Sequence, residues 1–222
     1  MDEDATRDTP KDGEIAAQTV EGFLDALASD APAPGGGAAA ALSAAMGAAL
    51  VSMVCNLTVG RERYQAHEEV MRAALVEADD LRTRALALAS ADGDAFGAVG
   101  AAYALPRKTD EEKAARGARV QEALKGAAGP PMGAVAVAAR VVELCAEIVH
   151  KGNPNVVSDV GVAALSARAA LDGAALNVRV NLTLIRDEVF TRETAQELER
   201  HLDAARPLVD EVLRAVDGVM AR

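Results

Sequence analysis

Apolar residues recur every three or four positions along most of the chain and never alternate strictly with polar ones. The pattern therefore predicts an all-α chain without strands. A first helix spans Gln18–Ser29, with Val20, Phe23, Leu24 and Leu27 on one side. The PAPGGG turn at Ala31–Gly37 breaks it, and an apolar helix follows over Ala38–Val59, ended by Gly60 and a polar Arg61-Glu62-Arg63 break. The third helix, Ala66–Tyr103, carries one stripe: Ala74, Ala78, Leu81, Ala85, Leu88, Asp92, Ala95 and Val99. Thr109 with Glu112 forms a capping box that opens a fourth helix. Pro130-Pro131 opens a fifth that ends near Lys151-Gly152; a sixth covers Asn153–Ile185 and a seventh Thr191–Met220. Seven helices with short connections predict a single up-and-down-type bundle over 18–222, behind a disordered acidic tail at 1–17 that has neither a basic leader nor an apolar signal core.

The second helix changes the picture most. No charge occurs from Ala31 to Gly60, a stretch long enough to cross a bilayer. Its Pro, Gly, Ser and Ala content gains little from lipid, so it is expected to be a central helix of a soluble bundle, with no membrane partner. An apolar helix of this length needs cover all round. It is expected at or near the interface of a homodimer.

Composition narrows the rest. Aromatics make up only 2% of 222 residues against 50% apolar, so the core must be built from Ala, Val, Leu and Met with closely approaching helices. A formal net charge of −11 argues against a nucleic-acid partner. Cys55 and Cys145 stand in apolar helical stretches with neither metal nor disulfide spacing, which points to a reducing, cytoplasmic setting and to no metal. His67, His150 and His201 each stand alone in charged contexts and suggest no catalytic pair.

Several positions carry candidate chemistry, each with a plain structural counterpart. Gly35, Gly36 and Gly37 before an apolar helix suit either an anion-binding turn or a close helix crossing. Asn56, Thr58, Arg61, Arg63 and Tyr64 cluster at the far end of that helix, as a clamp for an anionic ligand tail or as ordinary C-terminal capping. At 100° per residue Asp92 falls among Leu88, Phe96 and Val99 and should point inward, with Asp94 outward. An inward carboxylate is costly and is usually paired or functional. On the sixth helix Arg168, Asp172 and Arg179 share a face expected to meet water. Asp159, Ser166, Asn177 and Asn181 lie among small residues on the opposite face, as pocket groups or as interhelical hydrogen bonds.

The string GNPNVVSDVGVAAL at Gly152–Leu165, with APAPGGGAAAAL, NLTVGRERY, DGDAF and NVRVN, resembles the cyclodeaminase/cyclohydrolase domain of the formiminotransferase-cyclodeaminase family, from about Thr19 to Met220. The resemblance implies an all-helical dimer whose substrate is a tetrahydrofolate derivative: cyclodeaminases close the formimino form to the methenyl form with loss of ammonia, and cyclohydrolases open the methenyl form with water. It implies catalytic roles for Asp159 and Asp92, with Asp92 sharing a site with Asp159. Ligand contacts are implied for Gly35, Gly36, Gly37, Asn56, Arg61, Arg63, Tyr64, Asn153, Asn155, Ser158, Asn177 and Asn181. The family often has Ser where this chain has Ala38, a departure that bears on turnover and keeps a non-catalytic folate-binding or interaction module as the alternative.

Overall fold

The computed structural model describes residues 15–221. Those residues form seven α-helices, six long and one short, and no strand: α1 (Val20–Ala28), α2 (Gly36–Asn56), α3 (Glu68–Tyr103), α4 (Asp110–Ala127), α5 (Gly129–Ile148), α6 (Val157–Leu182) and α7 (Glu188–Met220). Short 3-10 turns cover Ile15–Ala17, Glu62–His67 and Pro154–Val156. The expected tail at 1–17 lies outside the described residues except for its last three. These form a turn held to α3 by the Ile15 amide, which donates to Ser90 Oγ at 3.2 Å.

Local sequence explains most boundaries. Thr109 and Glu112 form the reciprocal capping box at the start of α4. Asp187 accepts from the Val189 and Phe190 amides and starts α7 earlier than apolar spacing suggests. Helix α2 begins at Gly36, inside the glycine run rather than after it. The expected start of the sixth helix at Asn153 moves to Val157, because Asn153 caps a separate 3-10 turn. On α1 only Phe23 is buried. Val20 and Leu24 face outward, contrary to the expected single apolar side.

Helix α2 packs on α3, α5 and α6, and α7 closes the back of α5 and α6 with Leu198, Leu202, Ala205, Val209, Val212 and Val216 at alternating four- and three-residue steps. Small residues set the spacing. Gly47 lets α2 approach α6 until an added Cβ would stand 3.0 Å from the Ala163 carbonyl oxygen. Gly36 faces Asn177, Ala40 faces Gly173 and Gly47 faces Ala163, so α2 and α6 run antiparallel. On the fourth side of α2, Met46, Met53 and Leu57 are exposed, and on α6 so are Val162, Leu165 and Leu176. Arg168, Asp172 and Arg179, expected simply to meet water, are tied to α7: Arg168 to Asp210 at 3.1 Å, Asp172 to Arg206 at 2.7 Å and Arg179 to Glu199 at 2.9 Å.

Candidate functional site

A cavity of about 260 Å³ opens where the N-terminus of α2 meets the ends of three other helices. Pro32, Ala33 and Gly35–Gly37 form one side. Helix α3 contributes Asp92, Phe96 and Val99; α4 contributes Leu124 and Ala127; the last turns of α6 bring Asn177, Val180 and Asn181, followed by Leu184. Three separate sequence elements, the glycine turn, the inward carboxylate and the late Asn pair, therefore meet.

Asp92 is half-buried at the end of the α3 stripe, whereas Asp94, two residues on, is exposed. Burial raises the Asp92 pKa above its ordinary value, against a hydrogen bond from the Ala38 amide that lowers it. The carboxylate thus lies against the first turn of α2. This approach requires Gly37, since a Cβ there would overlap the carboxylate. Ala38 itself is fully buried and does not line the cavity, so the missing family hydroxyl would have pointed into the core.

The two asparagines are oriented by backbone acceptors. Asn177 Nδ2 donates to the Gly173 carbonyl at 2.9 Å and Asn181 Nδ2 to the Ala127 carbonyl at 2.8 Å. Their side-chain oxygens remain as acceptors. With the Asp92 carboxylate they make the polar rim an acceptor surface, suited to a cation or to N–H donors. The opposite wall, Phe96, Val99, Val180, Leu184 and Leu124, is apolar.

The remaining expected residues lie elsewhere. Asn56, Arg61, Arg63, Tyr64, Asn153, Asn155, Ser158 and Asp159 gather at the C-terminal end of α2 and the start of α6. Asp159 and Asn177 are both on α6, about five turns and so about 27 Å apart. Within one protomer Asp159 and Asp92 therefore stand at opposite ends of α6 and cannot act on one atom. Asn153 is engaged inside the protein. Its Oδ1 accepts from Tyr64 Oη at 2.9 Å and from the Asn155 amide at 3.1 Å, its amide donates to Thr58 Oγ1 at 3.0 Å, and its Nδ2 donates to the Leu57 carbonyl at 3.4 Å. This clamp joins the end of α2 to the entry of α6. Arg63 lies over the Tyr64 ring at 4.8 Å, and among the described residues neither Arg61 nor Arg63 forms a salt bridge. Sequence reasoning missed the α4 contribution and the apolar wall. The position of Phe96 and Val99 beside Asp92 on one helix face was the available signal for part of it.

Comparison with known proteins gives this geometry a context. The methenyltetrahydrofolate cyclohydrolase of Methylorubrum extorquens is 49% identical over 199 residues, covering 90% of this chain and 96% of that protein. The formimidoyltransferase-cyclodeaminase of Mus musculus is 32% identical over 200 residues, 90% of this chain but 37% of the relative, so the chain spans about a third of that protein. The crystal structure of formiminotetrahydrofolate cyclodeaminase from Thermotoga maritima superposes with a TM-score of 0.84 at 29% identity, covering 93% of this chain and all of the other. The family model for formiminotransferase-cyclodeaminase matches residues 19–200, and the chain belongs to that family.

Proposed function

We propose that the chain is a folate one-carbon enzyme and that its reaction is hydrolysis of methenyltetrahydrofolate. The observation that carries this reading is the 49% identity to a methenyltetrahydrofolate cyclohydrolase that the chain matches along nearly its whole length. The cavity chemistry suits it. The methenyl substrate carries a positive charge spread over one carbon and the two nitrogens it bridges. A rim of one carboxylate and two amide oxygens suits binding of such a cation, and places a carboxylate beside it to activate the attacking water. Water adds to the bridging carbon while Asp92 accepts a proton from it. The adduct then opens as one carbon–nitrogen bond breaks: that nitrogen takes the proton back from Asp92, and the hydroxyl releases its proton to solvent as it becomes the carbonyl of a formyl group on the other nitrogen. Burial raises the Asp92 pKa in the direction a general base benefits from.

The second group of residues enters this reading through a homodimer. Helices α2 and α6 pack against each other and carry exposed apolar residues, Met46 and Met53 on α2 and Val162, Leu165 and Leu176 on α6. Pairing two copies with their α2 helices antiparallel covers these residues. It also brings Arg61, Arg63 and Asp159 of one subunit to the Asp92 end of its partner, where the two guanidiniums offset the paired carboxylates. Arg61 and Arg63 then hold the anionic tail of the folate. Cys55 and Cys145 are free and buried, with burial pushing both thiols up to about 12, which keeps them protonated and unreactive at neutral pH.

The deciding experiment follows the methenyl chromophore with purified protein from two starting substrates. Loss of the chromophore from methenyltetrahydrofolate, well above the spontaneous rate, is expected. Its formation with ammonia from the formimino substrate, without accelerated hydrolysis, would make the chain a cyclodeaminase. Inertness toward both would leave a non-catalytic module.

A further inference from the structure

Phe96 is the only aromatic residue lining the cavity, in a chain with three Phe, two Tyr and no Trp. It is 54% exposed and stands one helical turn beyond Asp92 on α3. In the isolated protomer the ring is half in water, an apolar surface whose burial against a ligand would be favourable. Around it, Val99, Val180 and Leu184 extend the apolar wall, while Asp92, Asn177 and Asn181 hold the polar rim. The cavity volume of about 260 Å³ falls just below the ~300–1,000 Å³ typical of pockets that enclose a drug-sized ligand. It therefore suits the ring system of a folate, with the tail outside.

We propose that Phe96 is the aromatic platform on which the cationic ring system of the folate stacks, positioning the one-carbon unit against Asp92. The inference rests on the folate reading above and adds a binding residue to it. Two effects act together. Stacking of a flat heterocycle on an aromatic side chain is sequence-independent surface chemistry that any pterin-like ring satisfies. The ring face is also negative in its quadrupole, which favours the charged methenyl substrate over an uncharged ring of the same shape.

Two substitutions test it in the full-length protein. Phe96→Leu keeps an apolar side chain and removes the ring; Phe96→Trp keeps a ring and introduces the chain's only indole. The leucine variant is expected to raise KM for methenyltetrahydrofolate by roughly tenfold, the size expected for loss of one stacking contact, with kcat changed much less and molecular mass unchanged by light scattering. The tryptophan variant is expected to retain a near-native KM, and its fluorescence should be quenched on titration with 5-formyltetrahydrofolate, a readout independent of turnover. A native KM in the leucine variant, or an indole emission indifferent to folate, overturns the proposal. So does loss of dimer mass in parallel with the KM change, which would make Phe96 an interface residue. Wild-type protein that hydrolyses nothing and binds no folate would instead remove the functional reading beneath it.

Discussion

In the proposed reaction Asp92 carries the proton transfer, and its surroundings make separable demands. Burial raises its pKa, so the folded chain holds this proton more tightly than the unfolded chain does. Stability attributable to Asp92 is then unaffected below the ordinary carboxylate value. It declines as pH rises from there through the folded value, and is flat above it. Activity runs the other way, because the base must be ionised. A plot of kcat/KM against pH should show an acid limb whose midpoint is displaced upward from the ordinary Asp value. Asp92→Asn should lose at least about a hundredfold in turnover, as for loss of general base catalysis, and should lose that limb, with an unchanged or raised Tm at neutral pH. Full activity in this variant would take Asp92 out of the mechanism. Gly37 provides an independent check. A methyl at Gly37 collides with the flexible Asp92 side chain, which can swing away, whereas one at Gly117, on α4 and outside the cavity lining, meets nothing within 4 Å. Gly37→Ala should therefore fold and lose activity at least tenfold, while Gly117→Ala stays within about twofold of wild type, since only the first moves the base. Equal activities of the two would contradict a positioned carboxylate.

At the scale of the elements, the antiparallel contact of α2 with α6 fixes the geometry of everything else. It depends on small side chains, and Gly47 is the tightest point: its added Cβ would stand 3.0 Å from the Ala163 carbonyl oxygen and 3.3 Å from Val141 Cγ1. Helix propensity alone favours Ala there by about 1 kcal/mol. The clash is with backbone, however, which yields only if the helices separate. Overpacking of that kind costs about 1–3 kcal/mol. Gly47→Ala is expected to be destabilising on balance in urea unfolding, and a stabilised variant would show that the contact is looser than described. The same contact explains what could be read from the sequence. The Thr109 box and the first half of the α3 stripe, Ala74, Ala78, Leu81 and Ala85, are local signals present in the fold, whereas Leu88, Asp92, Ala95 and Val99 are only half-buried because the buried line shifts to Ala89 and Ala102. That Asp159 lies about five turns from Asn177 follows from their spacing on one helix and is legible in the sequence. That Asn177 meets Asp92 at one cavity is a consequence of helix pairing, which no local signal carries.

The whole molecule must reconcile two separated groups of residues with one reaction. A single protomer has the acceptor rim at one end of α2 and the Arg61–Arg63 pair with Asp159 at the other. It also leaves Met46 at 57% and Leu165 at 48% exposure on its outer face, a surface that water disfavours. A two-fold pairing across that face addresses both features, and it makes a statement that a monomer with one self-contained site cannot. In such a dimer each composite site takes Asp92 from one subunit and Asp159 from the other. Asp92→Asn and Asp159→Asn homodimers should each be nearly inactive. When the two inactive proteins are unfolded together in equal amounts and refolded, half of the dimers should be mixed. Every mixed dimer has one site with both carboxylates intact and one with neither. Recovered activity should approach about a quarter of wild type by this two-fold statistics. Sites confined to one subunit predict no recovery at any mixing ratio. A control with Leu165→Glu in both proteins should abolish recovery by breaking the apolar face, with the monomer mass seen by light scattering. If Asp159→Asn alone turns over normally, the second group of residues serves structure at the Asn153 clamp, and the Asp92 cavity acts without a partner.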